Sequence, residues 1–277
     1  MNQILNSKTF NPDLITYAEP KTNVHGGKSV YLNYDKKPLT FQTPKMSIPF
    51  GLSKYTPPAG GESKYSLDLS FTGMTDNDDV KQFHDKMAAL DSKLMADGMK
   101  NAMPWFKKKS ATLDVIKELY TPLIKVSKDK ETGEPNNKFP PLFKVKMPFI
   151  DDKFTCEVYN SSKERVDATP TLLKFATVQV IMKCTGIWFA GGKFGIAWKA
   201  HQIKVTPPTG LNGYSFADDS DEGGSTVVDH EQDHVASVSA EPAKPKVNMV
   251  ADSDDDDDDD EDDEEVAPPP KKIVGKK

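Results

Sequence analysis

Arginine is almost missing from this chain. Of its 36 basic residues, Arg165 is the one arginine. Arginine is the side chain that reads base edges in bidentate fashion, whereas lysine supplies a flexible point charge. A chain this dependent on lysine is suited to hold polyanions without reading their sequence. Cysteine is nearly as scarce. Cys156 and Cys184 each lie in an apolar, strand-like pattern; two isolated cysteines exclude a zinc cage or a disulfide framework and are expected as buried thiols. No run of eighteen apolar residues and no signal-peptide core near Met1 occurs, which points to a soluble, non-secreted protein with no membrane span.

Catalytic motifs are also lacking. The stretch HEQDH (230–234) matches the H-E-x-x-H zinc-protease pattern, but that chemistry needs a rigid helix lining a cleft, and this stretch lies in an acidic, polar region. HGGKS (25–29) ends like a phosphate loop, yet Thr22 occupies the place of its first glycine. The pairs Asp78/Asp79 and Asp151/Asp152 fall at a helix start and in a turn, where capping and solvation account for them. No nucleophile–base pair stands out. The expectation is a non-enzyme with no cofactor and no metal.

What is present is a division of charge. Residues 1–215 carry 30 basic and 21 acidic residues, a net of +9, and residues 216–277 carry 6 and 21, a net of −15. A basic body and an acidic tail are two electrostatic objects on one chain. Residues 217–277 have too few large apolar groups to offset ordering entropy, so disorder is expected there. The sequence therefore divides into an N-terminal arm (1–27), a folded domain (28–209) and a disordered acidic tail (210–277). About sixty such residues span roughly 45 Å, enough to reach the body's own surface.

The body reads as mostly β with helical insertions. Residues 28–43 suggest a hairpin around Asp35, Lys36 and Lys37, and residues 64–71 alternate Leu67, Leu69 and Phe71 against Asp68 and Ser70. Val80, Phe83, Met87, Leu90 and Leu94 recur at helical spacing within 76–102, behind an acidic first turn. A short helix over 111–120 would take Ser110 as its N-cap. Strands are expected at 142–149, 154–160 and 173–184.

The stretch GIWFAGGKFGIAWKAHQIKV (186–205) reads as two strands closed by Gly191 and Gly192. That pairing sets Phe189 opposite Phe194, Trp188 opposite Gly195 and Ile187 opposite Ile196. Ile187, Phe189, Phe194, Ile196 and Trp198 then share a core face. The other face holds Trp188 over Gly195 with Lys193 and Lys199, a platform for an unstacked base and its phosphates. This holds only with a bulge at Gly186; otherwise Trp188 joins the apolar face of Val178, Val180 and Met182. WFKKKS (105–110) repeats the combination in Trp105, Phe106, Lys107, Lys108 and Lys109, either as a DNA contact or as a helix-end aromatic anchor before a solvated lysine run. Lys144 and Lys146 line one face of their strand, as phosphate contacts or as an ordinary solvated face.

Taken in order, WFKKKSATLDVIKELYTPLIKVSKDKETG, FPPLFKVKMPF, FTCEVYN, the 186–205 stretch and the acidic tail resemble the single-stranded DNA-binding protein family of nucleocytoplasmic large DNA viruses. That family is similar to the replicative single-stranded DNA-binding proteins of short-tailed phages. The resemblance implies an OB-fold-like barrel elaborated by a helix, and single-stranded DNA binding in viral replication, recombination and repair, in the host nucleus or a cytoplasmic replication factory. It also implies a tail that occludes the DNA groove and docks polymerase or other replication proteins. The tail residues are Asp254, Asp255, Asp256, Asp257, Asp258, Asp259, Asp260, Glu261, Asp262, Asp263, Glu264 and Glu265. Such tails usually end in an aromatic tip, whereas this one continues to VAPPPKKIVGKK. Homodimerisation is left open. The rival reading is an acidic-tailed chaperone for histones or other basic proteins, in which the tail is the binding element; a virion structural protein is a third.

Overall fold

The computed structural model describes residues 3–22, 27–58 and 61–208. The acidic tail and the HEQDH match lie outside the described residues. The segment expected as an arm belongs to the fold, because Leu5, Phe10 and Ile15 are buried in the core. A 3-10 turn at Pro12–Leu14 leads into β1 (Ile15–Tyr17). β2 (Lys21–Thr22), β3 (Lys28–Val30), β4 (Leu32–Tyr34) and β5 (Lys37–Pro38) follow. Of the hairpin expected over 28–43 only the centre forms, as β4 and β5, and residues 28–30 and 40–42 pair elsewhere. Asp35 and Lys36 both take left-handed backbone, as a two-residue turn between twisted strands requires.

Next come β6 (Thr40–Gln42), β7 (Met46–Ile48), β8 (Leu52–Tyr55) and β9 (Lys64–Ser70). Three helices intervene: α1 (Asp78–Lys100), α2 (Ala102–Phe106) and α3 (Leu113–Leu119). β10 (Tyr120–Thr121), β11 (Ile124–Lys125), β12 (Leu142–Met147), β13 (Phe149–Ile150) and β14 (Lys153–Phe154) follow. β15 (Glu157–Tyr159), β16 (Arg165–Val166) and α4 (Ala168–Thr171) precede the long hairpin of β17 (Ala176–Ala190) and β18 (Lys193–Thr206).

Five strands close on themselves. β7 pairs β9, β9 pairs β12, β12 pairs β18, β18 pairs β17, and β17 returns to β7. Numbered along the chain, the ring runs 1-2-3-5-4-1, with a parallel contact between its third and fifth strands. This is an OB-fold-like barrel, as expected. β3, β6, β8, β10, β11 and β15 pair onto its strands outside the ring, β2 pairs onto β3, and β1, β4 and β5 form a separate three-stranded sheet.

α1 packs its apolar stripe into the core. Asn77 caps it, accepting from the Asp79 and Val80 N–H groups, so the acidic pair Asp78/Asp79 serves the helix start. Val80, Phe83, Met87, Leu90 and Leu94 are all buried, and each is worth about 2 kcal/mol of hydrophobic burial. Phe83 sits 5.5 Å from Phe41, 5.7 Å from Phe71 and 5.3 Å from Phe143, ring centre to ring centre. The N-cap of α3 is Thr112, not Ser110: the Thr112 hydroxyl accepts from the Val115 N–H. Cys156 is buried with its thiol pushed up to about 11 by burial, and Cys184 is half-buried. Asp151 and Asp152 form the left-handed turn between β13 and β14.

Asp91, on the buried side of α1, fixes the β10–β11 turn. Its carboxylate accepts from the Tyr120 hydroxyl at 2.5 Å and from the Leu123 N–H at 3.2 Å. Burial raises its pKa to about 6 from an ordinary 3.8, against the lowering effect of those bonds. Between these values the folded protein holds a proton that the unfolded chain has released. This carboxyl's contribution to stability therefore falls as pH rises through that window, by on the order of 3 kcal/mol in full. In urea unfolding at about pH 4 and about pH 7, the wild-type protein should lose more stability over the interval than Asp91→Asn. Equal losses would contradict this assignment.

Candidate nucleic-acid interface

The β17–β18 hairpin has the register expected from its sequence: Phe189 opposite Phe194, Trp188 opposite Gly195, Ile187 opposite Ile196. Gly191 and Gly192 make the turn with φ of 53° and 78°. The condition on Trp188 is also met. The register shifts between Cys184 and Gly186, leaving Thr185 as the extra residue of a bulge. Gly186 has φ of 122°, and a Cβ there would stand 2.7 Å from the Val30 carbonyl oxygen, so only glycine fits. The bulge reverses the alternation. Val178, Val180 and Met182 are buried before it and Ile187 after it, which turns Trp188 to the outer face. There the indole lies on Gly195: a Cβ at that glycine would be 2.7 Å from Cζ2 of Trp188. Trp188 is half-buried, with its inner surface covered by the sheet.

Strand partners in register share a face, so the pairings identify what surrounds the indole. One row runs Lys21, Ser29, Trp188, Gly195, Thr121 across β2, β3, β17, β18 and β10. Tyr31, two residues beyond Ser29, is 49% exposed, and the Lys21 ammonium lies 5.3 Å from its ring centre. A second row sets Lys183, Lys199 and Lys146 side by side on β17, β18 and β12. Lys199 is four residues from Gly195, about 13 Å along the strand. Lys193 lies on the same face at the hairpin tip. Lys144 stands opposite Asp68. Burial raises the Asp68 pKa, while Lys144 and Lys125 draw it down.

Like charges directly opposite each other destabilise a sheet. Lys183 directly opposite Lys199 therefore costs stability in the protein alone, and an anion on that face would relieve the repulsion. The hairpin's own sequence adds no acid: no Asp or Glu occurs between Asp167 and Asp218.

The second basic-aromatic segment lies elsewhere. Trp105 is 3% exposed, with its ring 5.0 Å from Tyr17 and about edge-on to it, and 6.3 Å from Phe194. A base-stacking role for Trp105 is thereby corrected: α2 packs on the inward face of the hairpin, and the tryptophan is its anchor. Phe106 is half-buried against Phe194 at 5.0 Å and Phe189 at 5.7 Å. Lys107, Lys108 and Lys109 are exposed on that helix side, away from Trp188. Lys21, Tyr31 and Lys183 were missed in sequence. Lys183 is recovered by carrying the alternation across the bulge, but Lys21 and Tyr31 depend on a long-range pairing to β17.

Gly195→Ala should displace the indole and shift tryptophan emission while leaving the far-ultraviolet circular dichroism unchanged. An unaltered emission spectrum would mean that the indole does not rest on this glycine.

Among the described residues no group of three His, Cys, Asp or Glu side chains is placed to hold a metal ion, and no helix is long and apolar enough to cross a membrane. Solved structures similar to this chain include the single-stranded DNA-binding protein gp2.5 of bacteriophage T7, at 12% identity and TM-score 0.38, covering 69% of this chain and 100% of that one. Another is the single-stranded DNA-binding protein of bacteriophage Enc34 in complex with single-stranded DNA, at 11% identity and TM-score 0.39, covering 70% and 98%. No curated protein matches the sequence. Residues 74–218 match the model of a family of unknown function, DUF5871, and the chain belongs to that family.

Proposed function

We propose that the outer face of the β17–β18 hairpin binds single-stranded DNA without sequence preference and without catalysis. The observation that carries this is Trp188 seated on Gly195 beside a row of three lysines in register. An indole resting on a glycine floor offers its outer π-face to an unstacked base. Lys183, Lys199 and Lys146 would hold phosphates, with Lys21 and Lys193 flanking and Tyr31 as a second ring. Base stacking contributes about 1–3 kcal/mol per base whatever its identity, and lysine adds charge without reading base edges.

The finer reading is a role in viral DNA replication, recombination and repair, supported by the sequence resemblance to the single-stranded DNA-binding proteins of large DNA viruses. In it the acidic run 254–265 competes with DNA for the lysine face and docks replication proteins such as a polymerase. Its charge supports this: a polyanion on a flexible tether is an intramolecular rival for weak phosphate contacts.

The test is a titration of the full chain, and of a chain lacking residues 252–265, with oligo(dT) and with duplex across a salt series. Single strands should quench tryptophan emission and bind more tightly than duplex, and the deletion should tighten binding. Trp188→Ala should weaken binding about tenfold or more and remove most of the quenching. Lys183→Gln with Lys199→Gln should reduce the slope of log affinity against log salt by about 0.7 per lysine. Failure of both chains to bind oligo(dT), or equal affinity for duplex, would contradict the reading.

A further inference from the structure

We propose that the chain holds a second single-stranded segment on the opposite, helix-covered side of the hairpin, through Lys107, Lys108 and Lys109 beside Lys28. The inference rests on the proposed binding of single strands by the outer face and adds a second site to it. Its basis is the way the fold separates two basic surfaces that lie on one hairpin. Phe189 and Phe194 face inward and carry α2, whereas Trp188 and Gly195 face outward. One sheet thickness divides them.

The helix-side surface is held in place from below. Trp105 anchors α2 against Tyr17, Phe189 and Phe194. The Lys28 ammonium donates to the carbonyl oxygens of Pro104 at 2.5 Å and Trp105 at 2.8 Å, and lies 5.3 Å from the Phe189 ring centre. Lys107 ends the helix in the left-handed conformation, φ 56°, with its N–H on the Met103 carbonyl. The Lys108 N–H reaches the Ala102 carbonyl. The lysine run therefore leaves α2 from a fixed backbone, with its three side chains in solvent.

Positive charge accumulates there. Burial and then the Lys107 charge lower the pKa of Lys28. The sequence holds no acid between Asp97 and Asp114. Asp97 is engaged by Tyr17 at 2.8 Å, Lys93 at 2.9 Å and Lys100 at 3.3 Å, and Asp114 lies in the first turn of α3. The chemistry that fits is a flexible run of phosphates. With Trp105 buried, this site stacks no base on an indole, so it lacks the quenching that stacking on Trp188 produces. A chain with both sites filled brings two single strands to opposite sides of one hairpin.

The test uses the full chain and labelled oligo(dT) of about ten nucleotides, short enough for one site of this size. Sedimentation velocity gives the number bound, and the part of the tryptophan quenching that Trp188→Ala removes reports the outer face. The wild-type protein should bind two oligonucleotides. Lys107→Asn with Lys108→Glu and Lys109→Glu should bind one, with quenching at an unchanged midpoint; Asn is chosen because it tolerates the left-handed cap. Lys108→Glu with Lys109→Glu, which leaves the cap intact, should show the same loss if the triple variant folds poorly. Trp188→Ala with Lys183→Glu and Lys199→Glu should keep one oligonucleotide and lose the quenching. One bound oligonucleotide on the wild-type protein, two on the helix-side variants, or a weaker quenching midpoint in them would overturn the second site. Two bound oligonucleotides with no quenching would instead count against the outer-face reading.

Discussion

At Gly186 the backbone of β17 passes so close to Val30 that no side chain fits, and the strand takes up one extra residue, Thr185. The outer face of the hairpin depends on this contact. Before the bulge, even-numbered residues Val178, Val180 and Met182 fill the barrel; after it, odd-numbered Ile187 does. Without the extra residue Trp188 would enter the core and the lysines beyond it would change sides. With it, a large aromatic group lies on the outside of the sheet, on Gly195, in the same face as Lys183 and Lys199. The pairing of sheet and β3 that demands the glycine also brings Lys21 and Tyr31 beside the indole.

The rest of the molecule supports that ribbon. α1 packs on the core aromatics through Phe83 and, through Asp91, fixes the turn between β10 and β11. β10 in turn pairs Thr121 with Gly195, on the floor beneath Trp188. α2 covers the inward side of the hairpin with Trp105. The acid-free stretch from Asp167 to Asp218 leaves the whole hairpin positive, and the body's net charge of +9 has a counterpart in a tail of −15. The proposed binding, by lysines and aromatic rings, is sequence-tolerant and salt-sensitive by construction.

Much of this was legible in the residues, and what was not has physical causes. The spacing of Val80, Phe83, Met87, Leu90 and Leu94 specified α1 because a helix with one buried stripe leaves that signature. Gly191 and Gly192 between alternating strands specified the hairpin register, which is a local property. The bulge could be stated only as a condition, since it is enforced by Val30, more than 150 residues away. Trp105 was ambiguous because an aromatic next to lysines has the same local sequence whether it anchors a helix or faces a ligand. Ser110 and Thr112 are both good caps, and the choice between them was made by where α3 packs. Lys21 and Tyr31 have no local signal that links them to Trp188.

Ultraviolet cross-linking of the full chain to an iodouracil-substituted single strand, followed by peptide mapping, tests the central claim most directly. The account predicts an adduct at Trp188, with Tyr31 as the neighbouring aromatic. Adducts at other exposed aromatics such as Phe50, Phe139 or Phe175, with Trp188 unmodified, would show that the single strand runs elsewhere on the barrel.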